Sequence, residues 1–334
     1  MRVIVDAYGG DNAPDAVLQG CRMAADRWKC EIVLTGSGEK LRARAAELGV
    51  SLEDMTIADA PDVFPMEAEP TAIMKQHKDS SMARGLQMLA NGEGEAFVSA
   101  GSTGALVVGG TLIVKRIKGV KRPAIGTVVP CRGGCFMLLD SGANHDCRPE
   151  MLRQFGLMGS VYMKRILGVP NPRVGLVNIG VEETKGTELQ VEAYGLMKEA
   201  GYNFIGNVEA REVPLGGCDV AVCDGFTGNV ILKTTEGLAK LFMSEIKSIF
   251  MKSLPNKLAA AVVKKDLGEF KRKFDSAEYG GALLLGTRKP VIKAHGSSDA
   301  KAFYNAVRQA ISCCENRIIG EMENQLAAET VETE

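Results

Sequence analysis

Asp219 to Gly237 joins three signals: a short apolar run, a Gly-x-x-Gly turn and a returning helical pattern. Val220, Ala221 and Val222 read as a buried strand. Val230, Leu232, Leu238, Leu241 and Phe242 then recur at roughly helical spacing, so a helix is expected to start near Asn229. Backbone N–H groups at such a helix N-terminus attract an anion. Gly225 and Gly228 would let the backbone approach a ligand, while Thr227 and Asn229 add side-chain hydrogen bonds. The stretch from Ser99 to Ala105 repeats this design, with Ser102, Thr103 and Gly104 ahead of a helix. An ordinary strand-to-helix turn is the competing reading of each loop. Two other glycine patterns fail on inspection. In Gly180 to Thr187 the order Lys185, Gly186, Thr187 is wrong for a P-loop, and after Gly36-Ser-Gly38 a leucine, Leu41, replaces the third dinucleotide-binding glycine.

The elements that would hold these loops alternate along the chain. Apolar runs at Arg2–Asp6, Glu31–Thr35, Met55–Ala58, Glu95–Ser99, Ala124–Pro130, Cys135–Leu139, Arg173–Asn178, Phe204–Glu209 and Val220–Val222 read as strands, and amphipathic segments lie between most of them. Thr71 to Ala90 is helical in pattern with a break near Asp79-Ser80-Ser81. The expected fold is α/β: a mostly parallel, Rossmann-like sheet with helices on both faces. Ligands of such sheets gather beyond the carboxyl ends of the strands, where every loop named above falls. Residues 1–328 are expected to form a single α/β catalytic domain, and 329–334 a disordered acidic tail.

The formal net charge of −1 gives no overall attraction to nucleic acid, and the nine cysteines show no disulfide rhythm, which suggests a reducing cytoplasm. Ala96 to Val114 carries no charge but is rich in Gly, Ser and Thr, so it reads as strand, loop and helix rather than a membrane span, and a soluble protein is expected. The interval 251–274 breaks the alternation. Leu254, Leu258 and Val262 fall at helical spacing, Phe270 and Phe274 follow Gly268, and Lys264, Lys265, Lys271, Arg272 and Lys273 meet few acids. A basic amphipathic helical hairpin of this kind suits a membrane surface or an acidic partner; packing on a second subunit is the alternative.

Seven blocks carry a resemblance. They are Asp6 to Asp11 (with Gly9 and Gly10), Ser99 to Ala105, Leu138 to Asn144, Asn178 to Glu188, Gly206 to Arg211, Asp224 to Gly237, and Tyr279-Gly-Gly with Lys293-Ala-His-Gly-Ser-Ser298. In this order, over nearly the whole chain, they resemble the PlsX family of bacterial phosphate acyltransferases. Tyr8 stands where that family usually has Met, and Ser141 where it has an aliphatic residue; His145 and the Cys131/Cys135 pair are also unusual. The resemblance implies a fold like isopropylmalate dehydrogenase and phosphotransacetylase, and a homodimer. It implies reversible transfer of an acyl group from acyl-acyl-carrier protein, an acidic donor, to inorganic phosphate, without a cofactor or metal. The product would pass to a membrane glycerol-3-phosphate acyltransferase in phospholipid synthesis. The interval 251–274 matches the family's protruding tip, associated with attachment to the inner face of the cell membrane.

Such a reaction must hold a phosphate and a developing oxyanion close together, which calls for amides, N–H groups and a cation rather than a nucleophile triad. Lys185 is expected to hold phosphate or stabilise the departing thiolate, Asn229 to polarise the thioester carbonyl, and His295 to deliver a proton. Asp6, Gly9, Gly10, Ser102, Thr103, Gly104, Asn144, Gly225, Thr227 and Gly228 are expected around phosphate and substrate. Three alternatives are open. Cys223 could form an acyl-enzyme, although no His is adjacent to it in sequence. Cys131, Cys135, His145 and Cys147 could bind zinc, at a spacing that matches no common finger. An acyl-coenzyme A phosphotransferase, an oxidoreductase or a non-catalytic anion-binding scaffold could use the same broad fold.

Overall fold

The computed structural model describes residues 1–273 and 276–332. In chain order the strands are β1 (Arg2–Asp6), β2 (Glu31–Gly36), β3 (Met55–Asp59), β4 (Ala96–Ser99), β5 (Ala124–Cys131), β6 (Gly134–Leu139), β7 (Val174–Asn178), β8 (Phe204–Glu209), β9 (Val220–Val222), β10 (Ala282–Leu285) and β11 (Val291–Lys293). The helices are α1 (Asp15–Trp28), α2 (Gly38–Leu48), α3 (Ser81–Asn91), α4 (Thr103–Gly109), α5 (Pro149–Arg165), α6 (Glu188–Lys198), α7 (Gly225–Met251), α8 (Leu254–Val262), α9 (Lys264–Lys273), α10 (Ala300–Glu315) and α11 (Ile318–Glu332). The strands form one 11-stranded sheet in the order β3-β2-β1-β4-β11-β10-β5-β6-β9-β7-β8.

Alternation along each strand sends side chains to two cores. Val3 and Val5 face one side with α1, α5 and α10, whereas Ile4 faces the other with α3 and α4. In β6, Met137 and Leu139 join the first core; Phe136 and Leu138 join a cluster on the opposite side that also receives Ile231 and Leu232 of α7. Helices therefore cover both faces, as the alternating pattern predicts.

Direction is where the fold departs from a simple carboxyl-end rule. Most neighbours are parallel, but β10 is antiparallel to β11 and to β5, and β5 is antiparallel to β6. Consequently β1, β4 and β11 end at one edge of the sheet, while β6, β9 and β7 end at the other. The expected loops thus divide between two opposite edges. α7 links them: it starts at the end of β9 and, at 27 residues, spans about 40 Å.

The structure refines three expectations. The break in 71–90 separates a 3-10 turn, Pro70–Met74, from α3, which Ser80 caps through Ala83 N. The tip consists of α8 and α9 with its break at Val263, and Gly268 lies inside α9. α11 continues to Glu332, past the expected start of a disordered tail at Glu329. Phe274, Asp275, Thr333 and Glu334, and the side chains of Lys271 and Lys273, lie outside the described residues. Among the described residues no helix is long and apolar enough to cross a membrane.

Candidate active site

At the end of β6 the chain turns sharply around one carboxylate. Asp140, fully buried, accepts N–H groups of Ile125, Gly142, Ala143 and Asn144 and the Asn144 side-chain amide. Burial raises its pKa against the pull of these donors. Asn144 also donates Nδ2 to Pro123 O at 2.8 Å and accepts Gly225 N at 2.7 Å. Both amide protons of Asn144 are therefore committed. The residue positions the turn and has no proton left for phosphate, contrary to expectation.

The Gly225–Gly228 segment is the first turn of α7 and not a loop before it. Asp224 caps the helix, accepting Thr227 N at 2.9 Å and Thr227 Oγ1 at 2.7 Å. Asn144 takes Gly225 N and Asp224 O takes Gly228 N, so the N–H groups of Gly225, Thr227 and Gly228 expected to meet an anion are already taken, and of this turn only the Phe226 N–H lacks a partner among the described residues. The glycines serve a close approach instead. A Cβ on Gly228 would lie 1.8 Å from Asp140 O, and one on Gly225 would lie 2.7 Å from Asn144 O. Asn229 is exposed, with its amide 3.7 Å from the Cβ position of Gly142. On the adjacent strand, Asn178 at the end of β7 holds Lys185 O at 2.9 Å, leaving the Lys185 side chain exposed.

The other edge collects Asp6, Gly9, Gly10, Ser99, the Ala100–Gly104 turn, Lys293 and His295. Asp6 is buried and accepts the hydroxyls of Ser81 at 2.6 Å and Ser99 at 2.7 Å; burial raises its pKa. It arranges hydroxyls rather than holding phosphate directly. A Cβ on Gly9 would stand 2.7 Å from both Asp6 Oδ2 and Gly101 N, and one on Gly10 2.9 Å from Gly296 O, so both glycines fit the loop to its neighbours. A cavity of about 220 Å³ opens beside them, lined by Tyr8, Asp11, Phe64, Met66 and Ser81 among others. The Tyr8 ring lies over Gly36, whose Cβ would sit 2.6 Å from it. Ser102 caps α4 at 3.5 Å from Ala105 N. The amides of Thr103 and Gly104 find no partner among the described residues, and Gly104 packs against Pro70.

Lys293 escapes motif reading. It ends β11, half-buried, with Nζ donating to Ala294 O and, at 3.3 Å, to Ala100 O. Desolvation chiefly, with repulsion from Lys233, lowers its pKa to about 8, while Asp11 and Asp6 oppose the shift. His295 accepts Ser297 N on Nδ1 at 3.2 Å, which leaves the neutral ring's proton on Nε2. Burial lowers its pKa too. A neutral imidazole donates a hydrogen bond through Nε2 but holds little of the acid form a full proton donor needs. His295 and Asn229 stand at opposite edges. Lys233, one turn beyond Asn229 on α7, acts electrostatically on both Lys293 and His295 and so connects the two groups.

The remaining chemistry is weaker. Cys223 is buried, with Sγ 3.7 Å from Asp140 O, and burial beside Asp224 and Asp140 pushes its pKa well above the usual thiol range. No thiolate nucleophile is prepared there. Cys131 and Cys135 lie at the β5–β6 turn, whereas His145 and Cys147 follow the far end of β6, so the four do not converge on one ion.

A sequence model of the fatty acid synthesis protein family matches residues 1–320. The phosphate acyltransferase of Clostridium acetobutylicum is 45% identical over 327 residues, which cover 98% of this chain and 99% of that protein. The phosphate acyltransferase of Alkaliphilus oremlandii is 46% identical over 319 residues, 96% of this chain and 95% of that protein. The EutD phosphotransacetylase from Staphylococcus aureus has the same fold at a TM-score of 0.61 and 14% identity, covering 95% of this chain and 94% of that one. A phosphotransacetylase from Streptococcus pyogenes has a TM-score of 0.61 at 17% identity, covering 94% of each chain. From the match over nearly its whole length and from relatives of this identity, the chain belongs to the fatty acid synthesis protein family and is an acyltransferase of the phosphate acyltransferase type.

Proposed function

We propose that the enzyme transfers a fatty acyl group reversibly from acyl-acyl-carrier protein to inorganic phosphate, giving acyl-phosphate and the free carrier thiol. The observation that carries the reading is the desolvated Lys293 ammonium, which donates to Ala100 O at the start of the turn whose Thr103 and Gly104 amides find no partner among the described residues. A partly buried cation with free N–H donors favours a phosphate dianion. Phosphate held there attacks the thioester carbonyl, which Asn229 polarises from one turn before Lys233 on α7. The C–O bond to phosphate forms as the C–S bond breaks, and the thiolate leaves. We assign Lys185, on the loop after β7, to the departing thiolate, and the Nε2 proton of His295 to a hydrogen bond with phosphate. The buried Cys223 supports direct transfer over an acyl-enzyme.

Two further parts of the reading concern assembly. Phe226, Val230, Leu238, Leu241 and Phe242 are exposed along α7, and a second copy of the chain would bury them, giving a homodimer. Leu254, Leu258 and Val262 at the tip, with Lys264, Lys265 and Arg272 exposed nearby, suit peripheral contact with the inner face of the cell membrane, where the acyl-phosphate would meet a glycerol-3-phosphate acyltransferase.

Thiol release from palmitoyl-acyl-carrier protein, with and without phosphate and repeated with palmitoyl-coenzyme A, tests the central claim. Phosphate-dependent release from the carrier protein is the expected result. Release from coenzyme A alone would overturn the donor, and no release from either would overturn the reaction. Lys185→Ala and Asn229→Ala should each lower kcat by about 100-fold while remaining folded, the scale of losing one preorganised transition-state contact.

A further inference from the structure

The chain is nearly neutral overall, yet one face is strongly basic. No acidic residue occurs from Ala96 to Leu139 or from Tyr279 to Ser298. Within these intervals lie Lys115, Arg116, Lys118, Lys121, Arg122, Arg288 and Lys289; all are exposed except Lys289, which is half-buried. Backbone bonds stitch the two segments together: Ile117 N donates to Gly286 O and Arg288 N to Lys115 O, each at 2.9 Å. Gln154 pins the loop between, accepting Lys121 N at 2.9 Å and donating to Gly119 O at 3.0 Å. The charges are thus presented on a fixed surface. None of these seven side chains makes an ion pair among the described residues; Arg116, Arg288 and Lys289 donate to carbonyls instead. An open groove of about 620 Å³ runs beside them, lined by Gln87, Ile113, Lys115, Arg288 and Lys289 among others.

The position of this face gives it a use. Arg122 leads straight into Pro123, whose carbonyl takes the Asn144 amide, and Asn144 in turn takes the first N–H of α7. Two hydrogen bonds therefore join the basic face to the turn that positions Asn229. Unlike the tip, the face presents few apolar side chains for a bilayer to bury. Leu112 is exposed beside it, against Leu254, Leu258 and Val262 on α8. Unpaired charge without an apolar companion fits an acidic protein surface better than lipid.

We propose that this basic face, and not the helical tip, docks the acidic carrier of the acyl donor and presents its thioester toward Asn229. The proposal deepens the carrier-protein reading and rests on it. Docking of this kind acts through long-range attraction, so it sets encounter and KM and weakens with salt.

The test compares palmitoyl-acyl-carrier protein with palmitoyl-pantetheine, a small donor that has no protein surface. In Lys118→Glu/Lys121→Glu/Arg122→Glu, the ratio of kcat/KM for the carrier donor to that for the small donor should fall at least about tenfold. The salt dependence of the carrier reaction should flatten with it. Arg288→Glu, in the other segment, should move the ratio the same way, which guards against a folding artefact in the triple variant. A wild type that uses the carrier donor, with ratios unmoved in both variants, overturns the docking face alone. Unmoved ratios together with lost sedimentation on anionic vesicles would overturn it in favour of lipid. A wild type that uses palmitoyl-pantetheine but not the carrier donor overturns the donor reading, and this proposal with it.

Discussion

Lys293 and Asn144 show how far a residue's role depends on what surrounds it. Asn144 belongs to a motif rich in hydrogen-bonding side chains, yet its protons are spent on Asp140 and Pro123. Lys293 is one lysine among many in sequence, and only its place beneath Ala100 and its loss of water mark it. Neither burial nor commitment of donors can be read from residue type, which is why the sequence points to the loops but misjudges which members of them are free. The lowered pKa of Lys293 makes two opposed predictions. The cation is present below about pH 8 and lost above it, so kcat/KM for phosphate should fall as pH rises through about 8. Stability runs the other way. Between about pH 8 and the ordinary lysine value of 10.5, the unfolded chain binds the proton and the folded one does not, so this group's contribution to stability is lost as pH falls across that window. Lys293→Met should therefore be more stable than wild type at pH 7, on the order of 3 kcal/mol, with the gain shrinking from pH 8 to 10.5. It should also lose most of its activity. Denaturant melts and phosphate kinetics across pH check both signs, and a variant that is both less stable and fully active at pH 7 would refute the role.

Among elements, α7 rests on a single close approach. Its first turn sits on the carbonyl of Asp140, and Gly228 leaves the room. Gly228→Ala would drive a Cβ to 1.8 Å from a backbone oxygen that five donors to the same residue's carboxylate hold in place. Helix and turn would have to separate, and a cost of about 3 kcal/mol is expected in a thermal or denaturant melt. Gly237 on the same helix meets nothing within 4 Å, so Gly237→Ala should instead stabilise by roughly 0.5–1 kcal/mol. The strand-turn-helix from β9 into α7 was legible because apolar spacing changes there from a short run to a helical repeat. Neither strand of the β10–β11 hairpin was legible. Ala282-Leu283-Leu284-Leu285 is buried on both faces and so shows no alternation, and it lies between Gly281 and Gly286 like a turn. That omission matters, because β10 enters between β11 and β5 and separates the halves whose strands end at opposite edges. Strand direction is a pairing property that no local pattern carries.

The whole molecule distributes its unsatisfied surface by kind. Charge without apolar company lies around Lys115–Arg122, near the turn that holds α7. Apolar surface lies on α7 itself and at the tip, where no residue of α8 is buried. Leu254, Leu258 and Val262 are 76%, 71% and 84% exposed, more than a folded chain leaves to three successive positions on one helical face without a use for them. Contact with a bilayer would bury these side chains while Lys264, Lys265 and Arg272 remain beside anionic headgroups. Each leucine should then contribute on the order of 1 kcal/mol or more to membrane binding, and each nearby cation about 1 kcal/mol at low salt. Leu254→Glu/Leu258→Glu should thus reduce sedimentation with vesicles containing anionic lipid by at least about tenfold in partition coefficient. Lys264→Gln/Lys265→Gln should weaken it less, and with a steeper loss as salt rises in wild type than in the variant. Sedimentation that survives the leucine substitutions would place the membrane contact elsewhere, and the exposed apolar stripe of α7 would be the next surface to change.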